Sequence, residues 1–226
     1  MPSGGTVREA DQISTLQGVL PIRCAPLGKV SRPGCAPRQD EGVLLLVITG
    51  PIASGKSKLA RAVAQEFEAV GIQAAVVDLD LVYEMLDPGR APKTNGPKWG
   101  QARRLAARLA DALLAEGAEV IVEGDFLTAT ARRQFEQALA SRVEPRFVTL
   151  RVSFDLAFER VQRDPTRGLS RDQAFLRDHY VETAAALRDA PVTDLAVDTG
   201  VVSISEAARA VAEWALPHDR VGRKSV

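Results

Sequence analysis

From residue 43 onward, two kinds of hydrophobic pattern take turns along the chain. Val43-Leu44-Leu45-Leu46-Val47-Ile48-Thr49 is an unbroken β-prone run, the pattern of a strand buried on both faces. A helix-forming stretch follows over about 56–70 and stops at Gly71. The same alternation predicts strands at 73–78, 118–123, 146–152 and 194–198. It predicts helices at 81–86, 99–116, about 129–140, 154–163, 171–188 and 203–215. Leu105, Leu109, Leu113 and Leu114 mark the helical period in the stretch 99–116. The segment 87–98 is rich in Pro, Gly and Lys and reads as an exposed loop. Strands alternating with helices predict an α/β fold with a parallel sheet covered on both faces. Ligands of such sheets bind beyond the carboxyl ends of the strands, so the residues just after each strand are the ones to search.

The first 41 residues are different in kind. They hold five prolines and five glycines with little apolar periodicity, and read as a flexible N-terminal extension. Residues 42–216 form the predicted domain and 217–226 a polar tail. Both cysteines, Cys24 and Cys35, lie in the extension and match no metal spacing. Lys+Arg and Asp+Glu both number 29, so the formal net charge is zero. That balance gives no support to a general nucleic-acid or membrane-surface binder. The N-terminus lacks a continuous apolar signal core, and no run approaches the ~20 apolar residues of a membrane span. A cytoplasmic protein is the expectation.

The strongest chemical signal follows the first strand directly. Gly50-Pro51-Ile52-Ala53-Ser54-Gly55-Lys56-Ser57 fits G-x-x-x-x-G-K-[ST], a loop whose backbone N–H groups cradle phosphates. Gly50 and Gly55 let the backbone curl close to a polyphosphate, where a Cβ would obstruct. The helix starting near Lys56 points its positive end at the same anion. Lys56 is placed to reach the β/γ-phosphates, and the Ser57 hydroxyl is a hard oxygen ligand for Mg²⁺. Gly50, Pro51, Ile52, Ala53, Ser54, Gly55, Lys56, Ser57 and the adjoining Lys58 are the candidate nucleotide contacts.

Further candidates stand at the other strand ends. Strand two ends in Asp78-Leu79-Asp80. One carboxylate is placed to hold Mg²⁺ and the other to take a proton from an attacking hydroxyl. The competing reading is a solvated turn or an N-cap for the helix at Leu81. Of the two, Asp78 is expected nearer the metal and Asp80 is the candidate base, ionised near its usual pKa of ~3.9. Strand three ends in Glu123-Gly124-Asp125, where an acid can orient Mg²⁺ or bind the acceptor. The basic break from Arg160 to Arg171 is interrupted by Pro165 and Gly168. Its arginines at 160, 163 and 167 are expected to face one side of a mobile flap, where guanidinium forks stabilise a transferring phosphoryl group. Asp198-Thr199-Gly200 either lines a nucleotide pocket or turns the chain. His179, Tyr180, Trp99 and Trp214 read as packing residues, with Trp99 beside the candidate acceptor loop.

Together GPIASGKS, VVDLD, VIVEGDF, RVQRDPTRGLSRD and DLAVDT give the chain from Val43 to about Leu216 a family resemblance. It resembles the small P-loop kinases of metabolites and nucleotides: shikimate, gluconate and adenylylsulfate kinases, the kinase domain of polynucleotide kinase and, most of all, chloramphenicol phosphotransferase. The resemblance implies a P-loop NTPase fold, three-layer α/β/α, with a five-stranded parallel sheet and a helical lid. It implies ATP and Mg²⁺, with Lys56 and Ser57 on phosphate and metal, Asp78 and Glu123 on the metal, and Asp198 near the nucleotide. Asp80 becomes the acceptor-side base, and Arg163 or Arg167 a flap arginine. The chain departs from adenylylsulfate kinases at Leu79, where they carry Gly between two Asp, and its 87–98 loop matches none of these families.

The expected activity is transfer of the γ-phosphoryl group of Mg·ATP to a hydroxyl of a small molecule. A kinase of nucleic-acid 5′ ends and a nucleotide-dependent switch without an acceptor are the alternatives. Deleting residues 1–40 is expected to leave the melting temperature and ATP binding unchanged, because the first strand begins after them. A large fall in melting temperature on truncation would assign the segment to the core.

Overall fold

The computed structural model describes residues 43–88, 96, 98–189 and 194–216. The extension, the C-terminal tail and most of the predicted acceptor loop lie outside the described residues. The strands are β1 Leu45–Thr49, β2 Ala74–Asp78, β3 Glu119–Gly124, β4 Arg146–Arg151 and β5 Leu195–Asp198. The helices are α1 Lys56–Ala69, α2 Leu79–Leu86, α3 Lys98–Ala115, α4 Ala129–Glu136, α5 Phe154–Arg163, α6 Gln173–Arg188 and α7 Ile204–Ala215. The strands form one parallel sheet in the order β2-β3-β1-β4-β5.

β1 lies at the centre, and its alternation divides the interior. Leu44, Leu46 and Ile48 pack with Leu59, Val63 and Phe67 of α1 and Ala208 and Val211 of α7. Leu45 and Val47 point the other way, against α2, α3 and α4 through Val82, Tyr83, Ala106, Ala110 and Phe135. Every residue of β1 is buried, which is why this strand is apolar on both faces. A third cluster joins Ala53, Val152, Phe154, Ala157, Val161 and Leu176, packing α5 and α6 beside the end of β1.

Several boundaries differ from the sequence expectation, and two of them show a physical cause. Helix α2 begins two residues early, because the Asp78 carboxylate accepts from Asp80 N at 2.9 Å and Leu81 N at 3.4 Å and so caps the helix at Leu79. Helix α4 stops at Glu136, and the following chain is tied across to α3. The Asp111 carboxylate there accepts from Ala140 N at 2.7 Å and Ser141 N at 3.0 Å. A buried ion pair also gave no signal in the sequence. Arg132 grips Asp194 at 2.9 and 2.5 Å, donates to Phe126 O at 3.1 Å, and stacks on Phe147 at 4.1 Å. Thr149 Oγ1 donates to the same carboxylate at 2.7 Å, so one bidentate pair ties α4, β4 and the start of β5.

The glycine after β3 has a steric reason. A Cβ on Gly124 would stand 2.5 Å from Leu79 Cβ, where the start of α2 crosses the end of β3. Gly124→Ala is expected to cost about 1–3 kcal/mol, the range for an overpacked core, seen as a lower midpoint in denaturant. An unchanged midpoint would show that α2 yields there at no cost.

Candidate functional site

The phosphate loop is built so that its carbonyls face inward. A backbone that turns its N–H groups toward an anion must satisfy its C=O groups elsewhere, and here each is taken in turn. Lys56 Nζ donates to Gly50 O and Pro51 O, both at 3.1 Å. Tyr180 Oη donates to Ile52 O at 3.0 Å, Arg160 Nη1 to Ala53 O at 3.1 Å, and Thr199 Oγ1 to Ser54 O at 2.8 Å. Gly55 O accepts from Leu59 N at 2.9 Å in the first turn of α1. The curl needs its glycines. Gly55 caps α1 at φ 96°, a left-handed conformation that glycine adopts without steric cost. A Cβ on Gly50 would lie 2.8 Å from Leu150 Cβ and 2.7 Å from Ser54 Oγ. Ser54 is fully buried, and among the described residues its hydroxyl has no hydrogen-bond partner. Lys58 is exposed.

The acidic residues converge beside Lys56 and Ser57. Glu123 is 3% exposed, and the Ser57 hydroxyl hydrogen-bonds its carboxylate. Burial is the main reason its pKa is raised to about 7; Asp78 and Asp80 raise it further, while Ser57 and Lys56 oppose. Asp80 opens to solvent, but protein surrounds its carboxylate closely enough to raise its pKa as well. That desolvation leads, Asp78 and Asp125 add to it, and Lys56 and Arg167 act against it. The sequence expected an ordinary aspartate; the close cover of protein is the main reason for the difference, and the neighbouring carboxylates add to it. Asp80 is also not the helix cap, since Asp78 holds that place.

Glu123, Ser57, Asp78 and Asp80 are hard oxygen donors of the kind Mg²⁺ takes. Among the described residues no group of three or more His, Cys, Asp and Glu could hold a metal. That donor set suits an ion bound by one or two protein groups with phosphate oxygens completing its shell.

The arginines of the basic break do not share a side. Arg160 turns inward, bonding Ala53 O at 3.1 Å, Thr199 Oγ1 at 3.0 Å and Thr199 O at 2.6 Å. Arg163 runs along α5 to Glu159 with its side chain 74% exposed. Arg167 alone is felt by Asp80 across the cleft, and it also bonds Asp164 at 3.3 Å. Residues three apart leave a helix on nearly the same face, so it is their partners that separate them: Ala53 and Thr199 hold Arg160, and Glu159 holds Arg163. Pro165 and Thr166 form a turn that Asp164 Oδ1 stabilises by accepting from Thr166 N at 3.0 Å.

Asp198 Oδ1 accepts from Gly200 N at 2.8 Å and shapes the turn after β5, which delivers Thr199 to the loop. Asp125 is joined to Arg103 at 3.5 Å, and Arg103 also donates to Gln134 at 3.1 Å and Asp125 O at 3.0 Å. Trp99 packs on Tyr83 with ring centroids 4.3 Å apart. Trp214 stacks under Arg146 at 4.1 Å. His179 accepts from Ile52 N through Nε2 at 3.1 Å. The sequence reading gave His179 and Tyr180 to packing and Arg160 to the flap; residue spacing carries no trace of contacts spanning more than a hundred positions.

The architecture and this loop define a P-loop kinase-like α/β protein. The chain belongs to the family described as the AAA domain, which it matches over residues 45–191, more than half its length. Among solved structures it is similar to the Deinococcus radiodurans tunicamycin resistance protein, at 18% identity and TM-score 0.54 over 78% of this chain and 96% of that one. The Sinorhizobium meliloti 1021 gluconokinase aligns at 22% identity and TM-score 0.52 over 79% and 95%. The Mycobacterium tuberculosis APS kinase CysC, in complex with AMPPNP and APS, aligns at 20% identity and TM-score 0.54 over 76% and 97%. No curated protein matches the chain.

The raised pKa of Glu123 has a signed consequence. Its folded value of about 7 lies above the ordinary 4.5, so the folded state holds the proton more tightly between those values. The contribution to stability is fully present below pH 4.5 and is lost as pH rises through about 7. At ~1.4 kcal/mol per unit that is about 3 kcal/mol. Without nucleotide or metal, the wild-type unfolding free energy is expected to fall relative to Glu123→Gln between pH 5 and pH 8. Parallel pH curves for the two proteins would show that the carboxylate titrates normally.

Proposed function

We propose that this protein transfers the γ-phosphoryl group of ATP to a hydroxyl of a small molecule. The observation that carries the reading is the loop of Gly50–Ser57 with every carbonyl from Gly50 to Gly55 held from behind, beside a carboxylate-rich cleft. The similar structures named gluconokinase and APS kinase support a small-molecule acceptor.

In this reading the loop amides and Lys56 bind the β- and γ-phosphates. Ser57 and Glu123, with Asp78, would hold Mg²⁺, which when bound neutralises charge on the phosphate oxygens. Asp80 orients the acceptor hydroxyl. As its oxygen bonds to the γ-phosphorus, the bond from that phosphorus to the β–γ bridging oxygen breaks, ADP departs, and Asp80 takes the hydroxyl proton. Its raised pKa brings it nearer the working pH, which favours a general base. Arg167 stands on the lid side of the same cleft and meets the developing phosphoryl charge. Arg163, drawn away to Glu159, has the weaker claim.

The test is an ATP-consumption screen over alcohols, sugars, nucleosides and antibiotics, with Lys56→Ala as the inactive control. Asp80→Asn is expected to fold and bind Mg·ATP nearly as wild type, yet transfer roughly 10²–10⁴-fold more slowly in single turnover. Near-normal transfer by Asp80→Asn would remove it as the base. Transfer to a nucleic-acid 5′ end, or hydrolysis indifferent to every acceptor, would overturn the proposal.

A further inference from the structure

One peptide unit of the phosphate loop is held at both ends by side chains. The Pro51 carbonyl accepts from Lys56 Nζ at 3.1 Å, and the Ile52 N–H of the same peptide donates to His179 Nε2 at 3.1 Å. The next carbonyl, Ile52 O, accepts from Tyr180 Oη at 3.0 Å. Two consecutive residues of α6 therefore hold both backbone groups of the loop's third residue. A trans peptide is rigid, with its C=O and N–H pointing opposite ways. Fixing the N–H toward α6 fixes the carbonyl toward Lys56, and a rotation that freed one would lose both bonds.

Helix α6 is lightly buried. Leu176 is its one fully buried side chain among the described residues, half of its residues are exposed, and its far end is tied to β4, where Arg151 Nη2 donates to Leu187 O at 3.3 Å. Tyr180 is steadied by Phe154, edge-on at 5.7 Å, and Phe154 is in turn covered by the Arg177 guanidinium at 4.6 Å. We infer that His179 and Tyr180 form a clasp through which the lid helix sets the shape of the phosphate loop, with His179 a positioning residue that acts through the 51–52 peptide on Lys56. The effect on nucleotide binding rests on the kinase reading above; the clasp does not.

The clasp has a chemical requirement. Nε2 accepts only when the imidazole is neutral and carries its proton on Nδ1. Burial lowers the His179 pKa to about 4, Lys56 lowers it further, and Asp125 opposes. A protonated ring would present N–H to N–H and open the clasp.

The experiment uses the full chain labelled with ¹⁵N-histidine. The sequence has two histidines, and the signal missing from His179→Gln identifies the one of interest. Long-range ¹H–¹⁵N spectra are expected to show a neutral Nδ1–H tautomer still present at pH 5.5. A cationic ring at that pH, or the Nε2–H tautomer, would overturn the inference. ATP affinity is measured in parallel. His179→Ala is expected to weaken it about tenfold, while His179→Gln, whose amide oxygen can accept near the Nε2 position, stays within about threefold of wild type. Equal affinity for wild type and His179→Ala would overturn the positioning role. If His179→Ala fails to fold, affinity of His179→Gln more than tenfold below wild type does the same. Should wild type bind ATP no better than Lys56→Ala, the nucleotide reading fails with the positioning role, and the imidazole spectrum alone decides the clasp.

Discussion

A loop that offers its amides to an anion must place its carbonyls somewhere, and this requirement organises the protein. β1 supplies the rigid approach, buried among neighbours on both faces. Six successive carbonyls then meet donors from Lys56, Tyr180, Arg160, Thr199 and the first turn of α1. These donors come from the loop's own helix, from α5 and α6, and from the turn after β5. Each net hydrogen bond contributes only about 0.5–1.5 kcal/mol, but an unpaired buried carbonyl costs more than that. The surrounding elements therefore hold the loop in shape, and the loop in turn fixes where they sit.

The second theme is concentrated charge in a chain whose net charge is zero. Burial raises the pKa values of Glu123 and Asp80; Asp78 and Asp80 add to the first, Asp78 and Asp125 to the second, and Lys56 opposes both. A cation or a phosphate-bound metal relieves such crowding of like charges. Arg103 answers Asp125 on the α3 side, so the cleft is acidic toward the loop and compensated toward Trp99. Away from the cleft, Arg132 and Asp194 are fully paired in the core, where loss of either partner would strand a buried charge.

The similarity to solved structures lies near 20% identity and a TM-score of about 0.5. It establishes the layered sheet and the position of the loop. In the proposed function, the choice of acceptor depends on side chains that such a likeness does not carry, and so it is a matter for the screen.

Much of this protein was legible in its sequence because the relevant signals are local. Strand and helix periodicity, the G-x-x-x-x-G-K-S spacing and the order of elements depend on near neighbours, and the parallel five-stranded sheet follows from their alternation. Asp78, Asp80 and Glu123 were candidates because each ends or follows a strand. Tertiary structure decided the rest. It gave the helix cap to Asp78 and turned Arg160 inward while Arg163 ran out to Glu159. It required glycine at 124 because α2 crosses there, and it brought His179 and Tyr180 onto Ile52 from 127 and 128 residues away. Periodicity records which face of an element is apolar. Which partner meets a polar side chain depends on how the elements are packed, and that becomes definite only when the chain closes on itself.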